Sequence, residues 1–316
     1  MANLRDVRLR MRAITQTLKV TKAMNLISTS KLRKGRRVLE DTEPFFTRIQ
    51  KTMCDILAGQ KTMESRFLAA QTRPPASAGP AAPDTTAPRR SAVIAVTSDK
   101  GLAGGYNAAV FREVVSLCEN LSRPEGGGRR MSPVLILIGA IGYRYFIRSP
   151  YVILENFSFK SKLPDMEDAR EISDYIISQY LWGMFDEVHI VYTHMHSAVK
   201  LLPLRRQILP LNAEKLQEEI EKSGRKKRVE LQFEYLPSEE EVFDALVPLY
   251  VKGIIYGCLV ESYAGEQSAR MAAMDEASKS AEKMLGALEL SHNRARQAGI
   301  TQEVTEIVSG SAALSG

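Results

Sequence analysis

The 316 residues carry a net charge of +6, are 44% hydrophobic and 25% charged, and suffice for about two domains with a sizeable core. The three cysteines, Cys54, Cys118 and Cys258, are scattered and lack CxxC spacing, which argues against a disulfide scaffold or a zinc site and for a reducing compartment. No run of about 18 consecutive apolar residues suggests a membrane span, and the Arg-rich start runs unbroken into a helical pattern, as mature structure does and a cleaved leader does not.

Residues 1–62 read as one long helix. Between Arg5 and Arg37 basic residues are opposed only by Asp6, which predicts an acidic partner: nucleic acid, anionic lipid or an acidic protein surface. Leu4, Val7, Met11, Ile14, Leu18, Thr21, Asn25, Ser28, Leu32, Gly35 and Leu39 step by three and four, a seam suited to a supercoiled helix pair. Its middle is small and polar, a weak stripe for an ordinary core. Residues 73–90, RPPASAGPAAPDTTAPRR, form a Pro/Ala-rich linker.

From Ser91 the period changes. SAVIAVTS, SPVLILIG, YVILENFSF, EVHIVYTHM and KLLPLRRQILPL read as strands, the last interrupted by Pro203, with helical segments between most of them. Strands alternating with helices predict a mostly parallel sheet covered on both faces, a doubly wound (Rossmann-like) α/β domain over 91–212. Residues 213–237 are a charged transition containing GRKKR, read as a solvated loop. Ser238 with Glu241 is a capping box, so a second long helix starts there and runs to about 312, with a kink or break expected near Pro248. Its small residues Ala273, Ala277, Ser280, Met284, Ala287, Ser291, Arg294, Ala298 and Thr301 again step by three and four. At 1.5 Å per residue each terminal helix would be about 90 Å long. Winding the two ends around each other as an antiparallel coiled coil covers both seams.

Catalytic chemistry is hard to find. The loop TSDKGLAGGYN, 97–107, joins a strand to a helix, where phosphate cradles sit, but fits neither GxGxxG nor a GK[ST] loop; a tight turn is the simpler reading. His194 and His196 share one face of a strand, and two imidazoles alone do not make a metal site. No catalytic constellation, cofactor or metal is expected. A basic coiled-coil nucleic-acid binder is the alternative, weakened because residues 1–40 hold no aromatic residue to stack on bases.

Four segments resemble one family. VTKAMNLISTSKLRKGRR (20–37), SDKGLAGGYN (98–107), ESYAGEQSARMAAMDEAS (261–278) and RARQAGITQEVTEIVSGSAAL (294–314) are similar to signatures of the gamma subunit of F-type ATP synthases, in the order that family requires. The resemblance implies a non-catalytic central rotor shaft. Its partners would be the alpha and beta subunits of a catalytic ring, the epsilon subunit and the membrane-embedded c-subunit ring, with no nucleic acid. It implies further that Arg296, Gln297 and Thr301, joined by Arg270, hydrogen-bond to loops of the ring, and that Lys22 and Met24 face an acidic lever loop of the beta subunit. Where the family often carries Tyr-Glu-Pro at the foot, this chain has Tyr235, Leu236 and Pro237. The cysteine pair of the chloroplast regulatory insert is missing, so no thiol control is expected. A bacterial origin is expected, with the subunit peripheral on the cytoplasmic face of the cell membrane.

Overall fold

The computed structural model describes residues 4–59, 65–68, 89–123, 131–159, 162–197, 200–212 and 235–314. Most of the 73–90 linker and most of the 213–237 transition, GRKKR included, lie outside the described residues. The elements are α1 (Leu4–Gly59), β1 (Arg89–Val96), α2 (Tyr106–Ser122), β2 (Met131–Ile138), α3 (Ala140–Phe146), β3 (Val152–Phe157), α4 (Met166–Leu181), β4 (Glu187–Met195), β5 (Leu201–Leu209) and α5 (Glu239–Leu314). Two compact units result: Lys31–Ala269, and Met1–Ser30 with Arg270–Gly316.

The larger unit is built on a five-stranded sheet of order β3-β2-β1-β4-β5. β1 pairs parallel with β2 and β4, and β2 parallel with β3. β5 pairs antiparallel with β4 at the edge of the sheet, where Pro203, opposite Thr193, sits within the strand instead of interrupting it. An edge position spares proline the ladder donor it lacks.

Both faces of the sheet are buried, which is why β1 and β2 read as unbroken apolar runs. Ala92, Ile94, Val96, Ile136 and Ile190 point into one core with Ile172 and Ile176 of α4. Val93, Ala95, Leu135, Leu137 and Val191 point into the other, against Val110, Val114 and Cys118 of α2 and Phe146 of α3. The first core also holds Ile49, Met53 and Ile56 of α1 and Phe243, Val247, Val251 and Ile255 of α5. The inner halves of the two terminal helices are therefore covering layers of the α/β unit. Burying one Leu- or Ile-sized side chain contributes about 1.5–3 kcal/mol, so this cover is a major part of the unit's stability.

α5 runs through Pro248 without a break. Proline removes one backbone donor, but the turn around it is pinned by Phe243, Val247, Tyr250 and Val251, all buried. An 18-residue window within Glu239–Gly310 is apolar enough to cross a bilayer by length and composition, and 56% of it is buried inside the protein. Its hydrophobicity serves the core beneath it.

Two glycines set close approaches. Gly253 of α5 lies against the Phe46 ring of α1, where a Cβ would overlap the ring. Gly139, at φ 99° after β2, lies on the Thr97 carbonyl, where an L side chain has neither the space nor the backbone conformation. The three cysteines are free and buried, and burial pushes the Cys118 and Cys258 thiols up to about 12.

Candidate partner-contact surface

The smaller unit pairs the outer parts of α1 and α5. Arg8 meets His292, Thr21 meets Ser278, Lys22 meets Glu282, and Asn25 meets Met271. From Arg8 to Asn25 the partner on α5 moves back from His292 to Met271, so the helices are antiparallel. The α1 seam lies where its spacing predicts: Val7, Thr21, Ser28 and Leu32 are buried, and Leu4, Met11, Ile14, Leu18 and Asn25 half-buried.

The α5 seam differs from its predicted register. Ser280, Met284, Ala287, Ser291, Arg294, Ala298 and Thr301 are exposed. The inward positions are Met274, Ser278, Ala281, Leu285, Leu288, His292, Ala295 and Gly299, one residue further on for most of the helix. The physical reason is low contrast. α5 is rich in Ala and Ser on every face, so small residues mark no direction, whereas Met274, Leu285 and Leu288 do.

Polar contacts join the helices beside the apolar seam residues Val7, Met274 and Ala281. The Thr21 and Ser278 hydroxyls lie 2.7 Å apart and are buried, and the Asn25 amide donates to the Met271 carbonyl at 3.0 Å. Such bonds are worth about 1 kcal/mol each and need close backbones, which the small seam allows. The Lys22–Glu282 pair, at 2.7 Å, keeps side-chain exposures of 58% and 51%. Solvent screening limits a pair that open to about 0–1 kcal/mol.

The outer surface holds most of the residues singled out from sequence. Lys22, Arg296, Gln297 and Thr301 are exposed and Met24 is half-buried. Thr301 donates its hydroxyl hydrogen to the Gln297 carbonyl at 2.9 Å, which leaves its oxygen as an outward acceptor. Arg270 is different: only 8% of it is exposed, and it has an interaction within the chain. Expected to join the others in contacts to the ring, it lies just beyond a stretch of α5 buried from Ser262 to Ser268 and is the least exposed of the set.

Sequence reading overlooked the exposed apolar residues among these charges. Leu9, Val20, Leu26 and Ile27 of α1 and Leu290 of α5 all face solvent. From Ile300 to Gly310 every residue of α5 is exposed, and Ile300, Val304 and Ile307 fall on one side at helical spacing. Exposed apolar groups gathered in this way mark protein contact. Their signal in the sequence was a helical stripe too sparse to count as a core.

The other candidates resolve simply. In the 97–105 loop, Leu102 and Gly104 take positive φ, and the side chain of Asn107 closes the turn by accepting from Ser98 N–H at 3.0 Å and donating to Ser98 Oγ at 2.7 Å. The cavity beneath it, lined by Thr97, Asp99, Gly139, Lys162 and Glu266 among others, has a volume of about 40 Å³, room for about one water and none for a nucleotide. His194 Nδ1 is bound to the Glu261 carboxylate, and among the described residues no three His, Cys, Asp or Glu gather as metal ligands. Tyr235 is packed against the core, and burial, then Asp55 and Glu239, raise its hydroxyl above the usual range. Leu236 beside it is 80% exposed.

A family model described as ATP synthase matches residues 3–314. The chain is 39% identical over 312 residues to the ATP synthase gamma chain of Ruminiclostridium cellulolyticum, covering 99% of both. It is 36% identical over 315 residues to that of Acetivibrio thermocellus, covering 99% of this chain and 100% of the relative. Among solved structures, a chain of the central stalk and c-ring of Tetrahymena thermophila mitochondrial ATP synthase aligns with a TM-score of 0.55 at 23% identity, over 82% of this chain and 99% of that one. A chain of the Euglena gracilis mitochondrial ATP synthase, in a structure of OSCP, F1 and c-ring, aligns with a TM-score of 0.62 at 14% identity, over 98% of this chain and 94% of that one. These two likenesses concern the fold.

Proposed function

The chain belongs to the ATP synthase gamma-chain family, and we propose that it works as the central, non-catalytic rotor shaft of an F-type motor. In this role it couples ion flow through a membrane-embedded c-subunit ring to ATP synthesis or hydrolysis in a ring of alpha and beta subunits, with an epsilon subunit beside it. It is peripheral to the membrane, on the cytoplasmic face of a bacterial cell. The observation that carries this reading is the antiparallel pairing of the two chain ends through a seam of small, polar and scattered apolar residues, with charged and some apolar side chains left exposed.

That surface suits a part that must turn inside a collar. A thin axle needs close backbones, hence Thr, Ser, Asn and Ala at the seam. Turning requires contacts that are individually weak, and exposed ion pairs and single hydrogen bonds supply about 1 kcal/mol or less each. Lys22 and Met24 on α1, and Arg296, Gln297 and Thr301 on α5, are proposed as contacts to the ring. The exposed stripe from Ile300 to Ile307 adds an apolar bearing at the helix end. At the foot, Leu236 stands where the family often places a glutamate, so contact with the membrane ring there is proposed to be apolar.

The nucleic-acid alternative finds no support, since the relatives matched over the full chain are ATP synthase gamma chains. The test is to purify the tagged chain from its native membranes. Stoichiometric recovery of alpha, beta, epsilon and c subunits is expected. Recovery of the chain alone, or with nucleic acid and no ATPase ring, would overturn the assignment.

A further inference from the structure

Arg8 Nε donates a hydrogen bond to His292 Nε2 at 3.1 Å, joining α1 to α5 near the outer end of their pairing. An arginine N–H only donates, so Nε2 must be the unprotonated nitrogen and the ring must be neutral. A protonated imidazole has no lone pair left to accept this bond. It would set a cation against a guanidinium.

The surroundings strengthen the conflict. One turn to either side of Arg8 on α1 are Arg5 and Arg12, and one turn to either side of His292 on α5 are Glu289 and Arg296. By helical spacing, three further guanidinium groups and one carboxylate lie within a turn of the Arg8–His292 pair. The half-buried ring occupies a seam position, between Leu288 and Ala295, so it cannot swing fully into solvent without leaving the interface. Imidazole is the side chain that changes charge between about pH 5 and 8.

We propose that the Arg8–His292 bond is a proton-sensitive clasp: closed while His292 is neutral, and opened on protonation, which loosens the outer end of the helix pair. The clasp contributes stability while the ring is neutral and loses it once the ring is protonated. It follows from the geometry of this unit alone and does not depend on the rotor assignment.

The test is hydrogen–deuterium exchange on the full chain at pH 7.5 and 5.5, corrected for intrinsic exchange. In the wild type, amides of residues 4–12 and 288–296 should lose protection by roughly two- to five-fold at the lower pH, the range expected of one exposed charge contact, while the buried amides of β1 hold theirs. His292→Gln keeps an acceptor for Arg8 without titrating and should show no such loss. His292→Lys carries the charge permanently and should show low protection at both values. Equal protection of the wild type at both pH values would overturn the clasp. So would a His292→Gln variant as pH-sensitive as the wild type.

Discussion

Arg296, Gln297 and Arg270 show how side chains with similar chemistry part company once burial is known. The first two are exposed, Arg296 beside the seam and Gln297 on the far side of α5 from it. Arg270 is buried and engaged, so its removal would act through the chain's own packing. The prediction at this scale is Arg296→Ala combined with Gln297→Ala. Circular dichroism should remain that of the wild type. Binding to the catalytic ring should weaken by up to about thirty-fold, the loss of two contacts worth about 1 kcal/mol each. Wild-type assembly and turnover would remove both residues from the contact set.

Among the elements, α4 has the most fully specified start. Asp165 accepts from the Asp168 N–H at 3.0 Å while Asp168 accepts from the Asp165 N–H at 2.9 Å, and Lys162 pairs with both carboxylates. The Asp168 N–H first, and then Lys162, hold the Asp165 carboxyl below its usual range. A carboxyl lowered by folding contributes stability above its unfolded value of about 3.9, and that contribution is lost as pH falls through the folded value. Asp165→Ala should cost about 1 kcal/mol of stability in urea unfolding at pH 7. The difference from wild type should shrink as pH drops below 4; a constant difference down to pH 2 would contradict the cap. A helical segment between the third and fourth strands was legible from the alternation of elements, and the strands were legible because both of their faces are buried. The α1 seam was legible too, since Val7, Leu18 and Leu32 stand out from charged neighbours. On α5 the register slipped because Ala and Ser recur on every side, and α5 crosses Pro248 because packing on Phe243 and Val251 outweighs one lost donor. The use of the inner helix halves as cover for the sheet was not legible, because periodicity shows that a face is buried and says nothing of its partner.

For the whole molecule, one polypeptide supplies two kinds of surface from the same pair of helices. Within Lys31–Ala269 they present Met53, Ile56, Val247 and Ile255 to a sheet and are held by an apolar core. Within the unit of the chain ends they meet through a mixed seam, in which Thr21, Ser278 and Asn25 bond across it beside Val7, Met274 and Ala281, and their outer faces are exposed. A firm anchorage and a lightly gripping surface are what a rotating shaft requires, and the change from a continuous apolar core to a narrow mixed seam with an exposed outer face supplies both. Family membership gives the motor, and this gradient gives the physical reason the chain fits its centre.

The direct test is to watch the chain turn. With the catalytic ring of the purified complex fixed to a surface and a probe on a cysteine introduced at Leu102, which is 63% exposed, addition of ATP should drive sustained rotation of the probe in one direction. A probe that keeps a fixed orientation, or reorients at random while ATP is hydrolysed, would contradict the account.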